Sequence, residues 1–395
     1  MKKVLLSLLA VVALGGAAVA QSVTVWTVLT DQSFEWLQQE AASFTDAFGV
    51  EVEIEVLALG ELRQRMLLLA PEGEAGDLLV GIPHDQVGEM AVGGVLADMT
   101  SYATADYLED LSEPAREAYT FGGRLLGLPI YVEGPALIIN TDLVPKVPST
   151  YEEMIAIAQE LTTDETFGFM YDINNFYYSY NWIHSYGGYV FGRDANGDLD
   201  PTDIGLANQG AAKGARELQA LRQEHGLIPA GTDYNAAHGL FIDGALAMTY
   251  DGPWAIAGFR EAGVPVDVVP MPPRNDGGPW SGFMGVQGVL LNEFSTFQVQ
   301  AANLAKWLVR TEAQVSLARL SGRIPASNSA IAQASDDEIL AGFGAALRNA
   351  EPLVSIPEMG TVWQPMASAL TLITESADAD VEATLEQAVQ KIRGE

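Results

Sequence analysis

The chain has 395 residues, no cysteine, and 52 Asp plus Glu against 20 Lys plus Arg, a formal net charge of −32. Without cysteine there is no thiol catalysis, no disulfide, no cysteine-ligated zinc or iron–sulfur centre, and no lipid-carrying cysteine of the exported-lipoprotein kind. The acidity repels phosphate backbones and anionic lipid, which argues against nucleic-acid and membrane-surface partners, and the length calls for two domains rather than one core.

The N-terminus reads as a cleavable export signal over residues 1–20. Lys2 and Lys3 supply the positive start, residues 4–17 a short apolar run, and Ala18-Val19-Ala20 the small residues of a cleavage point. The run is too short to span a bilayer, and no later segment reaches the required length, so no direct membrane insertion is expected. The chain is expected to be periplasmic and soluble.

Beyond it, strand-like and helix-like segments alternate. Residues 23–29 read as a strand and 34–48 as an amphipathic helix. Residues 50–57 alternate at period two through Glu51, Glu53 and Glu55, as a half-exposed strand does. Residues 61–69 read as helix, 77–80 as a buried strand and 86–92 as helix. Thr150 and Glu153 have capping-box spacing at a new helix, and Ser295 with Gln298 repeats it before a helix reaching Arg310. Helices fit 211–225 and 233–242; strands fit 245–250, 266–269 and 286–291. Such alternation with short connections indicates an α/β fold. No internal repeat or low-complexity linker occurs, so more than one crossing strand is expected to join the lobes.

Signatures of catalysis are missing. The four histidines, His84, His184, His225 and His238, form no metal-ligand spacing. There is no nucleophile elbow, phosphate-binding loop or dinucleotide fingerprint. Gly282, Gly285 and Gly288 suit a flexible strand or hinge. The run Asp194-Ala195-Asn196-Gly197-Asp198-Leu199-Asp200 starts like a calcium loop, but its glycine is fourth, and Gly205 stands where the bidentate glutamate belongs. It is read as a polar turn. With 52 carboxylates, pairs arise too often by chance to nominate glycosidase residues. The expectation is a binding protein with no catalytic residues, no metal and no cofactor.

Three stretches resemble the maltose/maltodextrin-binding proteins of ABC importers, within the extracellular solute-binding superfamily. They are Gly127-Leu128-Pro129-Ile130-Tyr131-Val132-Glu133, continuing into Ile138-Ile139-Asn140-Thr141-Asp142-Leu143; Asp243-Gly244-Ala245-Leu246-Ala247-Met248-Thr249-Tyr250-Asp251-Gly252-Pro253-Trp254; and Ile356-Pro357-Glu358-Met359 followed by Trp363. The resemblance runs from about Val23 to Ile392. It implies a two-lobed periplasmic-binding-protein-like fold, each lobe a mostly parallel sheet flanked by helices, with three hinge crossings. These fall at 132–135, at 283–288, and after Arg323 near Ser327. One lobe is then 21–132 plus 288–327, the other 133–287 plus 328–395.

The resemblance also implies the site. Tyr177, Trp254 and Trp363 fall where aromatic rings stack on sugar faces, because axial C–H groups meet a π-face while hydroxyls radiate sideways to polar partners. Asp85 and Glu133 match family carboxylates that accept sugar hydroxyls, and Thr30 or Asp31 occupies the family's Asp-Lys pair. The chain departs from the family at several places. Asn175 replaces a glutamate before Tyr177, Gln364 a tyrosine, Ala367 an arginine, and Ile82-Pro83 stand where several members carry tryptophan. The implied function is the substrate-binding component of an ABC sugar importer, a monomer that captures maltose, maltodextrin or a related α-glucoside by hinge closure and delivers it to membrane permease subunits. Two other readings stand beside it, a secreted carbohydrate-active hydrolase and the same scaffold for a non-sugar solute; with only 20 basic residues, a neutral sugar fits better than an anion.

Overall fold

The computed structural model describes residues 22–195 and 199–395. The expected export segment and part of the acidic turn at 194–200 lie outside the described residues.

The first lobe is built on β1 (Ser22–Thr27), α1 (Asp31–Phe48), β2 (Glu51–Val56), α2 (Leu59–Leu69), β3 (Leu78–Pro83) and β4 (Gly127–Glu133). The amphipathic pattern of α1 turns Trp36, Leu37, Ala41 and Phe44 inward, and left-handed Gly49 stops the helix, its N–H bonding the Thr45 carbonyl. At the sheet edge, β2 presents Glu51, Glu53 and Glu55 to solvent and leaves Val52 and Ile54 half-buried, and the edge charges discourage pairing with another chain.

The second lobe takes β5 (Ala136–Asn140), α3 (Tyr151–Leu161), β6 (Phe167–Met170), α4 (Phe176–Ser185), α5 (Gln209–Gln223), α6 (Tyr234–Ile242), β7 (Leu246–Asp251) and β8 (Val266–Val269). Period-two alternation on β5 sends Ala136 and Ile138 into one core cluster and Leu137 and Ile139 into another, so the sheet is covered on both faces. Thr150 caps α3 by accepting from the Glu153 N–H at 3.1 Å; the Glu153 carboxylate reaches back one residue further than expected, to the Ser149 N–H at 2.7 Å.

The chain returns along β9 (Phe283–Leu291), followed by α7 (Gln298–Leu308), α8 (Thr311–Ser321), β10 (Ile324–Pro325), α9 (Asn328–Gln333), α10 (Glu338–Ala346), β11 (Glu351–Pro352), α11 (Trp363–Thr374) and α12 (Val381–Arg393). The expected capping box before α7 does not form. The Ser295 hydroxyl donates to Asp77 Oδ1 at 2.6 Å instead, and the Gln298 amide donates to the Glu293 carbonyl.

The larger sheet has the order β10-β4-β9-β3-β1-β2, with β11 also on β9; the smaller is β8-β5-β7-β6. The two-lobed α/β architecture is the one expected, but the sheets are mixed rather than mostly parallel. β1 runs parallel to β2 and β3, whereas β9 is antiparallel to both β3 and β4, and β5 is antiparallel to both its neighbours. The reason is the path of the chain. It leaves the first lobe along β4 and comes back along β9, so these adjacent strands point in opposite directions. The crossing at Gly134 is closely packed, and a Cβ there would lie 2.8 Å from the Phe283 carbonyl oxygen. Past Ser327, α9 still packs on α8 and β10, and α10 is the first element to pack on β8.

Candidate ligand-binding cleft

The two sheets meet across a cavity of about 430 Å³ lined by both lobes. Its position follows a general rule of α/β proteins, that ligands sit beyond the C-terminal ends of strands. β3 runs into the 3₁₀ turn His84–Gln86, which brings Asp85 and Gln86, and β7 runs into the turn Pro253–Ala255, which brings Trp254. Tyr177 lies in the first turn of α4, and Trp363 opens α11.

Tyr177, Trp254 and Trp363 are each half-buried and line this cavity together. The Tyr177 and Trp254 centroids are 6.2 Å apart with planes at 49°. Behind them Phe283, 1% exposed, stacks on Tyr177 at 6.2 Å and meets Trp363 edge-on at 6.0 Å. The rings are thus braced from the interior by the first residue of the returning strand.

The facing wall is polar. Arg63 of α2 donates to Gln86 Oε1 at 2.9 Å, and the Gln86 amide donates to Asp85 Oδ2 at 2.6 Å. Part of the Asp85 surface opens into the cavity, yet protein surrounds the carboxyl closely. Burial pushes it up to about 6, against the lowering effects of the Gln86 bond and the Arg63 charge. Beside it His84 is wholly buried: Nδ1 accepts from the Val286 N–H at 3.1 Å, so Nε2 carries the proton donated to the Leu353 carbonyl at 2.7 Å. Burial holds this imidazole down at about 4, neutral in ordinary buffers.

The floor joins Glu133 at the end of β4 with Gln287 in β9 and Arg323 just before β10. Gln287 Nε2 donates to Glu133 Oε1 at 2.7 Å, and Arg323 ion-pairs with Glu133 Oε2. The Arg323 guanidinium lies 5.1 Å from the Tyr131 ring centroid and 5.8 Å from that of Trp254. At this level the pairing of β9 shifts register beside Gly288 against both neighbours. Such bulges bend strands locally and commonly redirect side chains beside a site.

Five expected site residues, Tyr177, Trp254, Trp363, Asp85 and Glu133, therefore line one cavity. Three do not. Asp31 lines an adjoining cavity of about 530 Å³ past Trp254, with Thr30, Tyr178, Tyr234 and His238. It is the one non-glycine residue with positive φ, 52°, among the described residues. Asn175 instead caps α4, its side-chain oxygen accepting from the Tyr177 N–H at 3.1 Å. Gln364 is exposed and turned toward Ser368. Residues not anticipated are Arg63, Gln86, Gln287 and Leu353 in the lining, and Arg323 behind it. Gln287 had a legible signal, a single amide inside the run Val286-Gln287-Gly288-Val289-Leu290-Leu291. Arg63 had none, since its helix reads as an ordinary surface helix.

Among the described residues, no group of three or more His, Cys, Asp or Glu is placed to hold a metal ion, and no helix is long and apolar enough to cross a membrane.

Comparison with known proteins finds relatives named for sugar binding. The chain is 28% identical to a galactooligosaccharide-binding protein of Bacillus subtilis, over 91% of this chain and 86% of the relative. It is 26% identical to a maltotriose-binding protein of Pyrococcus abyssi, over 94% of this chain and 81% of the relative. Among solved structures, the maltotriose-bound maltotriose-binding protein of Thermus thermophilus is 41% identical, with a TM-score of 0.90 over 94% of this chain and 99% of that one. The maltose-maltodextrin-binding protein of Alicyclobacillus acidocaldarius is 29% identical, with a TM-score of 0.86 over 94% of this chain. The family model for bacterial extracellular solute-binding proteins matches residues 39–342, and with most of the chain covered in this way, the protein belongs to that family.

Proposed function

We propose that this chain is the sugar-capturing component of a bacterial ABC importer, and that its ligand is a malto-oligosaccharide. One observation carries the reading: three aromatic rings of the second lobe face the Asp85–Gln86–Arg63 wall of the first across a single cavity. Rings take the C–H faces of a pyranose and the polar wall takes its hydroxyls, a division that suits a neutral sugar. The cavity size is within the range of small-molecule sites. Grooves of about 680 Å³ and 740 Å³ lie elsewhere on the surface, but neither places aromatic rings of one lobe opposite polar side chains of the other.

Capture works by hinge closure, the motion known for periplasmic binding proteins. The ligand bridges both lobes only when they approach, and so shifts the population toward the closed form. The lobes divide at Gly134, near Phe283, and between α9 and α10, later than the Ser327 boundary the sequence suggested. The protein is exported, acts in the periplasm as a monomer, presents its closed form to permease subunits, and turns nothing over. The relative named for galactooligosaccharides supports a second candidate ligand, which belongs in the same assay.

Calorimetry of the mature protein against maltose, maltotriose, trehalose, sucrose and a galacto-oligosaccharide tests this. One maltotriose per chain with no glucose released is the expected result. Sustained glucose release would replace the importer reading with the hydrolase, and silence toward every sugar would end both.

A further inference from the structure

A charged side chain of the first lobe reaches a cleft ring of the second. Helix α8 ends at left-handed Gly322, whose N–H bonds the Ala318 carbonyl, and Arg323 follows at the entry to β10. The pairing of β10 with β4 sets Ile324 beside Val132, which brings Arg323, one step earlier, opposite Glu133. The two side chains form an ion pair, 13% and 11% exposed, and charges so deeply buried persist only when paired. Gln287 holds the other Glu133 oxygen at 2.7 Å, so the anchor is fixed at both ends. The guanidinium then lies over Tyr131 of β4, 5.1 Å from its centroid, and over Trp254 at 5.8 Å. A planar cation can give its edge to a carboxylate and its faces to rings, which an ammonium cannot do.

The backbones are close as well. A Cβ on Gly322 would lie 3.7 Å from the Pro253 carbonyl oxygen, so the end of α8 rests against the turn that carries Trp254. The indole itself packs on Gly252, where a Cβ would lie 2.2 Å from Cη2 of the ring. Arg323 is not part of the cavity lining; Trp254 is.

We propose that Arg323 is a positioning residue that acts through Trp254: anchored on Glu133, it fixes from the first lobe the pose of a second-lobe ring on which the sugar stacks. This rests on the reading of the cleft as a sugar site. It gives Glu133 a second part, as the anchor of the cation, beside the hydroxyl acceptor the resemblance implies.

The test is calorimetry with maltotriose on mature protein in three backgrounds, wild type, Trp254→Ala and Trp363→Ala, each with Arg323 intact, Arg323→Met and Arg323→Lys. Arg323→Met should weaken binding about fivefold in the wild type, the scale of a partly desolvated cation–ring contact. It should cost the same in Trp363→Ala, whose missing ring Arg323 does not touch, and almost nothing in Trp254→Ala. Arg323→Lys keeps a charge for Glu133 without the plane and should recover part of the loss; it repeats the cycle should the methionine variant not fold. Trp254→Leu replaces Trp254→Ala should the alanine variant bind too weakly to measure. Wild-type affinity in the folded Arg323 variants, even with a lowered melting temperature, overturns the proposal. An equal loss in all three backgrounds also overturns it, because Arg323 then acts independently of Trp254. Wild-type protein that binds no sugar removes the underlying reading itself, an outcome distinct from both.

Discussion

Tyr177 and Trp254 form an angled pair, ring centroids 6.2 Å apart and planes 49° from parallel, so their faces cannot both lie flat on one sugar ring. Under the proposed sugar reading each ring would serve a different part of the ligand, and Trp254 also borders the adjoining cavity that contains Asp31.

Removing one face should cost what a stacked aromatic contact is worth. Trp363→Ala and Trp254→Ala are each expected to lose about 1–3 kcal/mol of maltotriose affinity, with Trp254→Ala the larger because it borders both cavities. Trp363→Phe should retain part of the loss. Titration calorimetry reads all three; an unchanged Kd for Trp363→Ala would remove the ring from the site.

Asp85 links binding to stability with opposite signs. Burial raises its carboxyl from 3.8 to about 6, so between those values the folded state holds more protons than the unfolded state. Stability from this group falls as pH rises through that window, and above it the buried charge is a net penalty. Asp85→Asn should therefore melt higher than wild type at pH 7.5, by about 1–2 kcal/mol given partial contact with solvent, and the gap should close toward pH 4. The same change should weaken maltotriose at pH 7.5. Wild-type affinity should decline as pH drops through about 6, because the protonated acid loses acceptor strength. Melting and binding profiles of the two proteins between pH 4 and 8 decide the matter, and parallel profiles would refute the assignment.

His84 acts in the reverse sense. Its imidazole is held at about 4 against an ordinary 6.5, so acid protonates the unfolded chain first, and stability falls as pH drops from about 6.5 toward 4. His84→Gln should flatten that portion of the profile, read as a difference from wild type. His84→Ala loses both buried bonds and should cost about 1–3 kcal/mol at pH 7.5 by denaturant unfolding.

Two residues carried over from the resemblance should prove structural. Asn175→Ala removes the α4 cap and should cost about 1 kcal/mol of stability, while Asn175→Ser keeps a capping oxygen and should cost less. Gln364→Ala should change neither stability nor affinity noticeably, because the side chain is exposed outside the cavity. A tenfold loss of maltotriose binding in Gln364→Ala would show that it reaches the ligand.

Local pattern and quoted motifs made much of this protein readable. The alternation of Glu51, Glu53 and Glu55 marked an edge strand, the Trp36-Leu37-Ala41-Phe44 stripe an amphipathic helix, and Thr150 the start of α3. The positions of Tyr177, Trp254, Trp363, Asp85 and Glu133 came from the family resemblance, and they meet at one cavity. Where the pattern misled, a distant partner intervened: Ser295 has capping-box spacing, but Asp77, far off in sequence, takes its hydroxyl.

The amino-acid order by itself determined the kinds of elements, the lobed α/β class and the absence of thiol chemistry, because periodicity, composition and short motifs are properties of neighbours along the chain. Only the tertiary structure decided that the sheets are mixed, that Gln287 joins the cleft lining, and that Arg323 stands behind Glu133. Those facts depend on which strands the crossing chain lays side by side, and on hydrogen bonds between residues more than a hundred positions apart. Spacing along a sequence carries no record of such pairings, since these contacts arise only when β4, β9 and β10 are laid side by side in one sheet.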